Sequence, residues 1–126
     1  MRKLMIAVAL SCILAVAPVA AQDPQTFSGS YDWSSGGSDE LVAEFTPDGD
    51  SQWKVNFSFR WSDKDHSWKG TASGSLEEGT TVRGTATYNS RNWTFEATIT
   101  DGVMSGVHTE VRGDDTFDTG TFTIKR

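Results

Sequence analysis

The chemically useful groups in this chain are its rings, its carboxylates and two imidazoles. Trp33, Trp61, Trp68, Tyr88 and Trp93 offer flat faces able to stack on a sugar, an aromatic ring or an apolar tail. His66 stands beside Asp65, the adjacency an acid/base pair would use. No nucleophile or third group can be assigned to that pair, so no catalytic residue is named. Asp63-x-Asp65-x-Ser67 has the alternating oxygens of half a calcium loop, without the glycine and distal glutamate that complete one. Asp63 and Asp65 are therefore only fragments of a metal site, and no motif implies a cofactor. Arg112-Gly113-Asp114 is the tripeptide read by adhesion receptors on a displayed loop, yet Gly-Asp is also ordinary turn chemistry.

Whether these groups meet depends on the elements that carry them. The dominant pattern is alternation at period two, cleanest from Gln52 to Trp61. Trp53, Val55, Phe57, Phe59 and Trp61 fall on one face there, and Gln52, Lys54, Asn56, Ser58 and Arg60 on the other. A helix would scatter those residues around its axis; a strand sorts them. The same sorting places Phe27, Gly29, Tyr31 and Trp33 on one face of a first strand, and Leu41, Ala43 and Phe45 on one face of a second. Trp68 to Leu76, Val82 to Tyr88 and Trp93 to Ile99 follow as the fourth, fifth and sixth. In a seventh strand, Val103 to Val111, the faces Val103/Val107/Val111 and Met104/Gly106/His108 compete for the interior. Phe117 to Lys125, with Gly120, Phe122 and Ile124 inward, completes an all-β antiparallel meander of about eight strands. Inward glycines at 70, 74 and 84 favour tight curling into a small closed or nearly closed barrel, with room for a tryptophan over the bare backbone.

Connections alternate ends in a meander. Pro47-Asp48-Gly49-Asp50, Glu77-Glu78-Gly79 and Thr100-Asp101-Gly102 read as tight turns closing one end. Ser34–Asp39, Ser62–Ser67, Asn89–Arg91 and Arg112–Thr116 read as longer loops at the other, the mouth. Trp33, Trp61, Trp68, Tyr88 and Trp93 then converge at the mouth with His66, among Asp39, Glu40, Asp63, Asp65, Asp114 and Asp115. These six aromatic and imidazole side chains form the candidate ligand-binding set. Trp61 and Trp68 flank the longest charged loop and are expected to be the most exposed. The competing reading is a plug of rings that simply fills a small barrel.

The first 21 residues read as a signal peptide: Arg2 and Lys3, an apolar run from Leu4 to Val16, Pro18, then Val19-Ala20-Ala21. Cleavage before Gln22 leaves residues 22–126 as a single domain and implies export to the periplasm or exterior of a bacterium. Removal of Arg2 and Lys3 takes the basic residues from 11 to 9 against 17 acidic, a net charge of −8. Such a balance argues against nucleic acid and anionic membrane as partners. Cys12 leaves with the leader, so disulfides and thiolate metal sites are excluded from the mature chain.

Ser28-Gly29-Ser30-Tyr31, opening the first strand of a meander, resembles the Gly-x-aromatic start of calycins, the lipocalin and avidin group. That resemblance implies an up-and-down barrel that takes a small apolar, aromatic or sugar ligand at its mouth. The expected function is thus an exported binding module. A miniature outer-membrane barrel, with the apolar face turned to lipid and Arg60, Arg83 and Glu96 inward, is the main alternative. A hydrolase using His66 and the mouth carboxylates is the second.

Overall fold

The computed structural model describes residues 23–126, apart from the side chain of Trp61; the signal-peptide assignment to residues 1–21 lies outside the described residues. Eight strands follow one another: β1 (Gln25–Trp33), β2 (Ser38–Pro47), β3 (Gln52–Trp61), β4 (Lys64–Gly74), β5 (Thr81–Tyr88), β6 (Arg91–Thr100), β7 (Val103–Arg112) and β8 (Asp115–Lys125). Each pairs antiparallel with the next and β8 returns to β1, so the sheet closes into a barrel. The period-two pattern sets the register: Phe57 lies opposite Ala43 on one side and Trp68 on the other. A slip of one residue would turn each of these apolar sets out to water.

The interior is filled. Phe27, Tyr31, Phe45, Phe57 and Phe122 are among its largest fully buried side chains, and β7 turns Met104, Gly106, His108 and Glu110 inward. Small residues make room for the rings. A Cβ on Gly84 would collide with the Phe95 ring, one on Gly106 with Phe122, and one on Gly120 with Tyr31. The rings seated over bare backbone are thus two phenylalanines and a tyrosine, where the glycine pattern suggested a tryptophan. Outward positions carry Lys54, Lys69, Arg83 and Glu96, and Arg83 and Glu96 form an ion pair on that outer surface. The outer-membrane alternative needs the reverse arrangement, an apolar exterior with Arg60, Arg83 and Glu96 inside.

The connections depart from expectation. At the mouth, β3–β4, β5–β6 and β7–β8 are joined by two residues each, and β1–β2 by residues 34–37. The supposed loop Ser62–Ser67 shrinks to Ser62-Asp63, because β4 begins at Lys64. Ser62 and Asp63 both hold positive φ (54° and 60°), as do Asn89 and Ser90 (51° and 62°). This is what a two-residue primed hairpin turn requires. Neither pair contains the glycine that advertises such a turn. The longest connection, residues 75–80, lies at the opposite end. It folds across that end and buries Leu76. Gly79 N–H donates to the Ile99 carbonyl (2.7 Å), and the Glu78 carboxylate accepts from the N–H groups of Asp101 (2.5 Å) and Gly102 (3.0 Å). The Arg126 guanidinium donates to the Leu76 carbonyl (3.1 Å) and to Gln25 Oε1 (2.6 Å).

Candidate ligand-binding mouth

Strand alternation delivers the mouth residues. Trp33 ends β1, Phe59 lies near the end of β3, His66 and Trp68 stand two apart on β4, Tyr88 ends β5, and Arg91 and Trp93 open β6. With Asp39, Glu110 and Thr119 they line a cleft of about 540 Å³. Five of the six proposed ligand-binding residues therefore meet: Trp33, His66, Trp68, Tyr88 and Trp93. The sixth, Trp61, closes β3 opposite Lys64.

These five divide into floor and wall. Trp68 and Trp93 stack, with centroids 4.9 Å apart and an interplanar angle of 20°. Trp68 is only 2% exposed and Trp93 5%, so the expectation that Trp68 is accessible fails: both belong to the packed core and form the floor. The reason is the early start of β4, which draws position 68 into the middle of a strand. Trp33, His66 and Tyr88 are half-buried and form the wall. Trp33 packs on Tyr31 (4.6 Å) and edge-on against Trp68 (6.1 Å), while His66 stacks on Phe59 (5.3 Å, 22°).

Polar atoms around the cleft are mostly tied to one another. Trp33 Nε1 donates to Asp39 Oδ2 (2.6 Å), and Trp93 Nε1 to Thr119 Oγ1 (3.1 Å). His66 Nδ1 and the Tyr88 hydroxyl share a hydrogen bond. Thr119 reaches Trp93 because β8 carries an extra residue there: His108 pairs with Gly120 but Thr109 with Asp118. A bulge of this kind re-aims a side chain beside a site. Glu110, buried on the inward face of β7, accepts from Arg91 (2.7 and 2.9 Å) and from Arg112 (3.0 and 3.0 Å). The Arg112 hydrogen bonds first, then those of Arg91, pull its carboxyl down to about 2. The Arg91 guanidinium also lies 5.7 Å from the Trp93 ring centroid.

Glu110 and Arg91 were not among the expected site residues. The signal was present but divided. Glu110 continues the Met104/Gly106/His108 face that the sequence left in competition, and Arg91 was assigned to a loop.

The adjacency of His66 and Asp65 in sequence does not become a contact in the fold. Adjacent strand residues point to opposite faces. His66 therefore turns to the cleft while Asp65 pairs with Arg60 (3.0 Å) on the exposed outside. Asp63 sits in the hairpin turn, and its carbonyl accepts from Arg60 (3.2 Å). Among the described residues no group of three or more His, Cys, Asp or Glu could hold a metal ion. Arg112 is drawn back to Glu110 and lies 4.8 Å from the centroid of Phe117, so the Arg112-Gly113-Asp114 tripeptide does not present a free arginine. Comparisons with models of protein families, with curated proteins and with solved structures find no match to this chain.

Proposed function

We propose that this chain is an exported binding module that holds a small, neutral, ring-bearing ligand at the mouth of its barrel. The observation that carries the reading is the cleft of about 540 Å³, floored by stacked Trp68 and Trp93 and walled by half-buried Trp33, His66 and Tyr88. Recognition there would rest on ring faces, since the surrounding donors and acceptors largely satisfy one another. Charge points the same way. Arg91 and Arg112 are neutralised in part by Glu110, and Asp39 offsets the remainder, so neither an anion nor a cation gains a clear advantage. A flat π face and the C–H face of a sugar share the required chemistry.

The calycin resemblance fits this reading at the level of eight up-and-down strands closing into a barrel. Calycin membership is itself part of the proposal. Packing of the interior favours a ligand resting over the floor rather than deep inside.

The test is a titration followed by tryptophan fluorescence, with N-phenyl-1-naphthylamine as the neutral aromatic probe and a neutral disaccharide as the sugar probe. A saturable response to one of them, lost in Trp33→Ala with the fold retained, is the expected result. No saturable response to either probe, or one that survives Trp33→Ala unchanged, would overturn the proposal.

A further inference from the structure

His108 occupies the middle of the barrel and is fully buried. Rings from five strands surround it: Tyr31 of β1 (5.3 Å between centroids), Phe57 of β3 (4.7 Å), Trp68 of β4 (4.7 Å), Phe95 of β6 (5.8 Å) and Phe122 of β8 (5.1 Å). The inward side chains of β2 are Leu41, Ala43 and Phe45, with the Asp39 carboxylate at the rim accepting from Trp33, and those of β5 include Val82 and Ala86. Neither imidazole nitrogen has a hydrogen-bond partner in the protein, and the same is true of Tyr31 Oη and Trp68 Nε1. Tyr31 is the one titratable group in ring contact with His108, and burial pushes its phenol up, keeping it neutral. Glu110 lies two residues further along the same face, with its charge already taken by Arg91 and Arg112. His66, across the cleft, is engaged with Tyr88 and Phe59. A proton on His108 would create a cation enclosed by rings with no carboxylate in contact with it, which a folded interior tolerates poorly.

We propose that His108 makes the mouth proton-sensitive: opening of the Trp68–Trp93 floor exposes the imidazole to protonation, so mild acid raises the open fraction and releases the ligand resting there. The ligand part rests on the function proposed above; the opening itself does not. Burial lowers the His108 pKa to about 3, against about 6.5 for an unfolded histidine. A folded value below the unfolded one means that the contribution of neutral His108 is complete above about pH 6.5 and is lost as pH falls from there. Glu110 also loses its contribution in acid, but only as pH falls below about 4.3, so it does not contribute to the slope between pH 7 and 5.

Opening should favour the mouth. At the opposite end the Trp53 indole is tied to the Gly74 carbonyl and Arg126 to that of Leu76, whereas the side chains of Trp68 and Tyr31 make no hydrogen bond in the protein. Trp68 in turn supports Trp33 and Trp93.

Denaturant midpoints of the full chain at pH 7, 6 and 5 test this, alongside N-phenyl-1-naphthylamine affinity at each pH. In wild type the unfolded-to-folded ratio should rise by up to about tenfold per pH unit below the unfolded histidine value, and probe affinity should fall with it. His108→Phe should lose most of that slope over this interval. If His108→Phe does not fold, the imidazole resonances of wild-type His108 decide: they should leave the neutral-form shift only in step with probe release or unfolding, at a pH below the unfolded value of about 6.5. Ordinary titration of His108 near pH 6.5 in the folded protein overturns the switch, as does a flat wild-type profile or a wild-type slope in His108→Phe. If no probe binds at any pH, the function proposed above fails alone, because midpoints and resonances still report on His108.

Discussion

The two ends of the barrel use similar side chains to opposite effect. At the capped end Trp53 donates its indole N–H to a backbone carbonyl, that of Gly74 (2.9 Å), and Arg126 binds the Leu76 carbonyl while lying 4.9 Å from the Phe27 ring centroid. At the mouth Trp33 and Trp93 donate to side chains, and the arginines Arg91 and Arg112 hold a carboxylate. Backbone partners move only if strands move. Side-chain partners can exchange by rotation about χ angles. The difference separates a seal from a surface that can accommodate something else.

The sharpest test contrasts floor with wall. Trp68→Ala removes a ring from the packed core and should cost about 3–5 kcal/mol in a denaturant titration. Trp33→Ala, at the half-buried wall, should cost clearly less while removing probe binding. Equal costs would erase the distinction between the two. Phe57→Ala, among Phe45, Phe95, His108 and Phe122, provides the core benchmark at about 3–5 kcal/mol, with Ser58→Ala on the outer face within about 0.5 kcal/mol.

Glu110→Gln comes next. It leaves two guanidiniums sharing a neutral amide and should cost about 1–3 kcal/mol at pH 7. The sign follows from the lowered carboxyl of Glu110: its contribution is present above the unfolded glutamate value of about 4.3 and disappears as pH falls towards 2. The variant and wild type should therefore converge in stability near pH 2, if both remain folded there in stabilising salt. A gap that persists would mean Glu110 acts through packing instead of charge.

The smallest effect separates the ends by exposure. An aqueous quencher such as acrylamide should reach Trp33 and leave Trp53, Trp68 and Trp93 largely protected, since those three are at most 6% exposed. Trp33→Phe should therefore remove part of the quenchable emission. A quenching curve unchanged by that substitution would show the mouth to be as sealed as the cap.

Much of the barrel was legible because one face of each strand is apolar and the period admits no ambiguity, as in Val55, Phe57 and Phe59. The seventh strand was not, since both its faces mix small, apolar and polar residues; only pairing with Phe95 and Gly120 selects the His108 face. The mouth turns misled for a different reason. Lys64-Asp65-His66 looks like a charged loop, yet in a strand Asp65 turns out to Arg60 while His66 turns in to the cleft. The convergence of Trp33, Trp68, Tyr88, Trp93 and His66 followed from strand direction alone. Their division into floor and wall, the Thr119 bulge and the Glu110 cluster depend on register across β6, β7 and β8, which local pattern does not carry.

The ladder that closes the barrel joins its first strand to its last, from Ser28 opposite Lys125 to Trp33 opposite Gly120. These partners lie almost the whole domain apart in sequence, so loop-closure entropy makes this the slowest pairing to nucleate. Until it forms, one side of β1 and one side of β8 present open N–H and C=O groups, the geometry by which strands of different molecules add to one another. Folding yield at high concentration should hinge on this seam. A circular permutant that joins β8 to β1 by a short linker and opens the chain at Ser62-Asp63 would make this seam a local hairpin and move the long-range closure to β3 and β4.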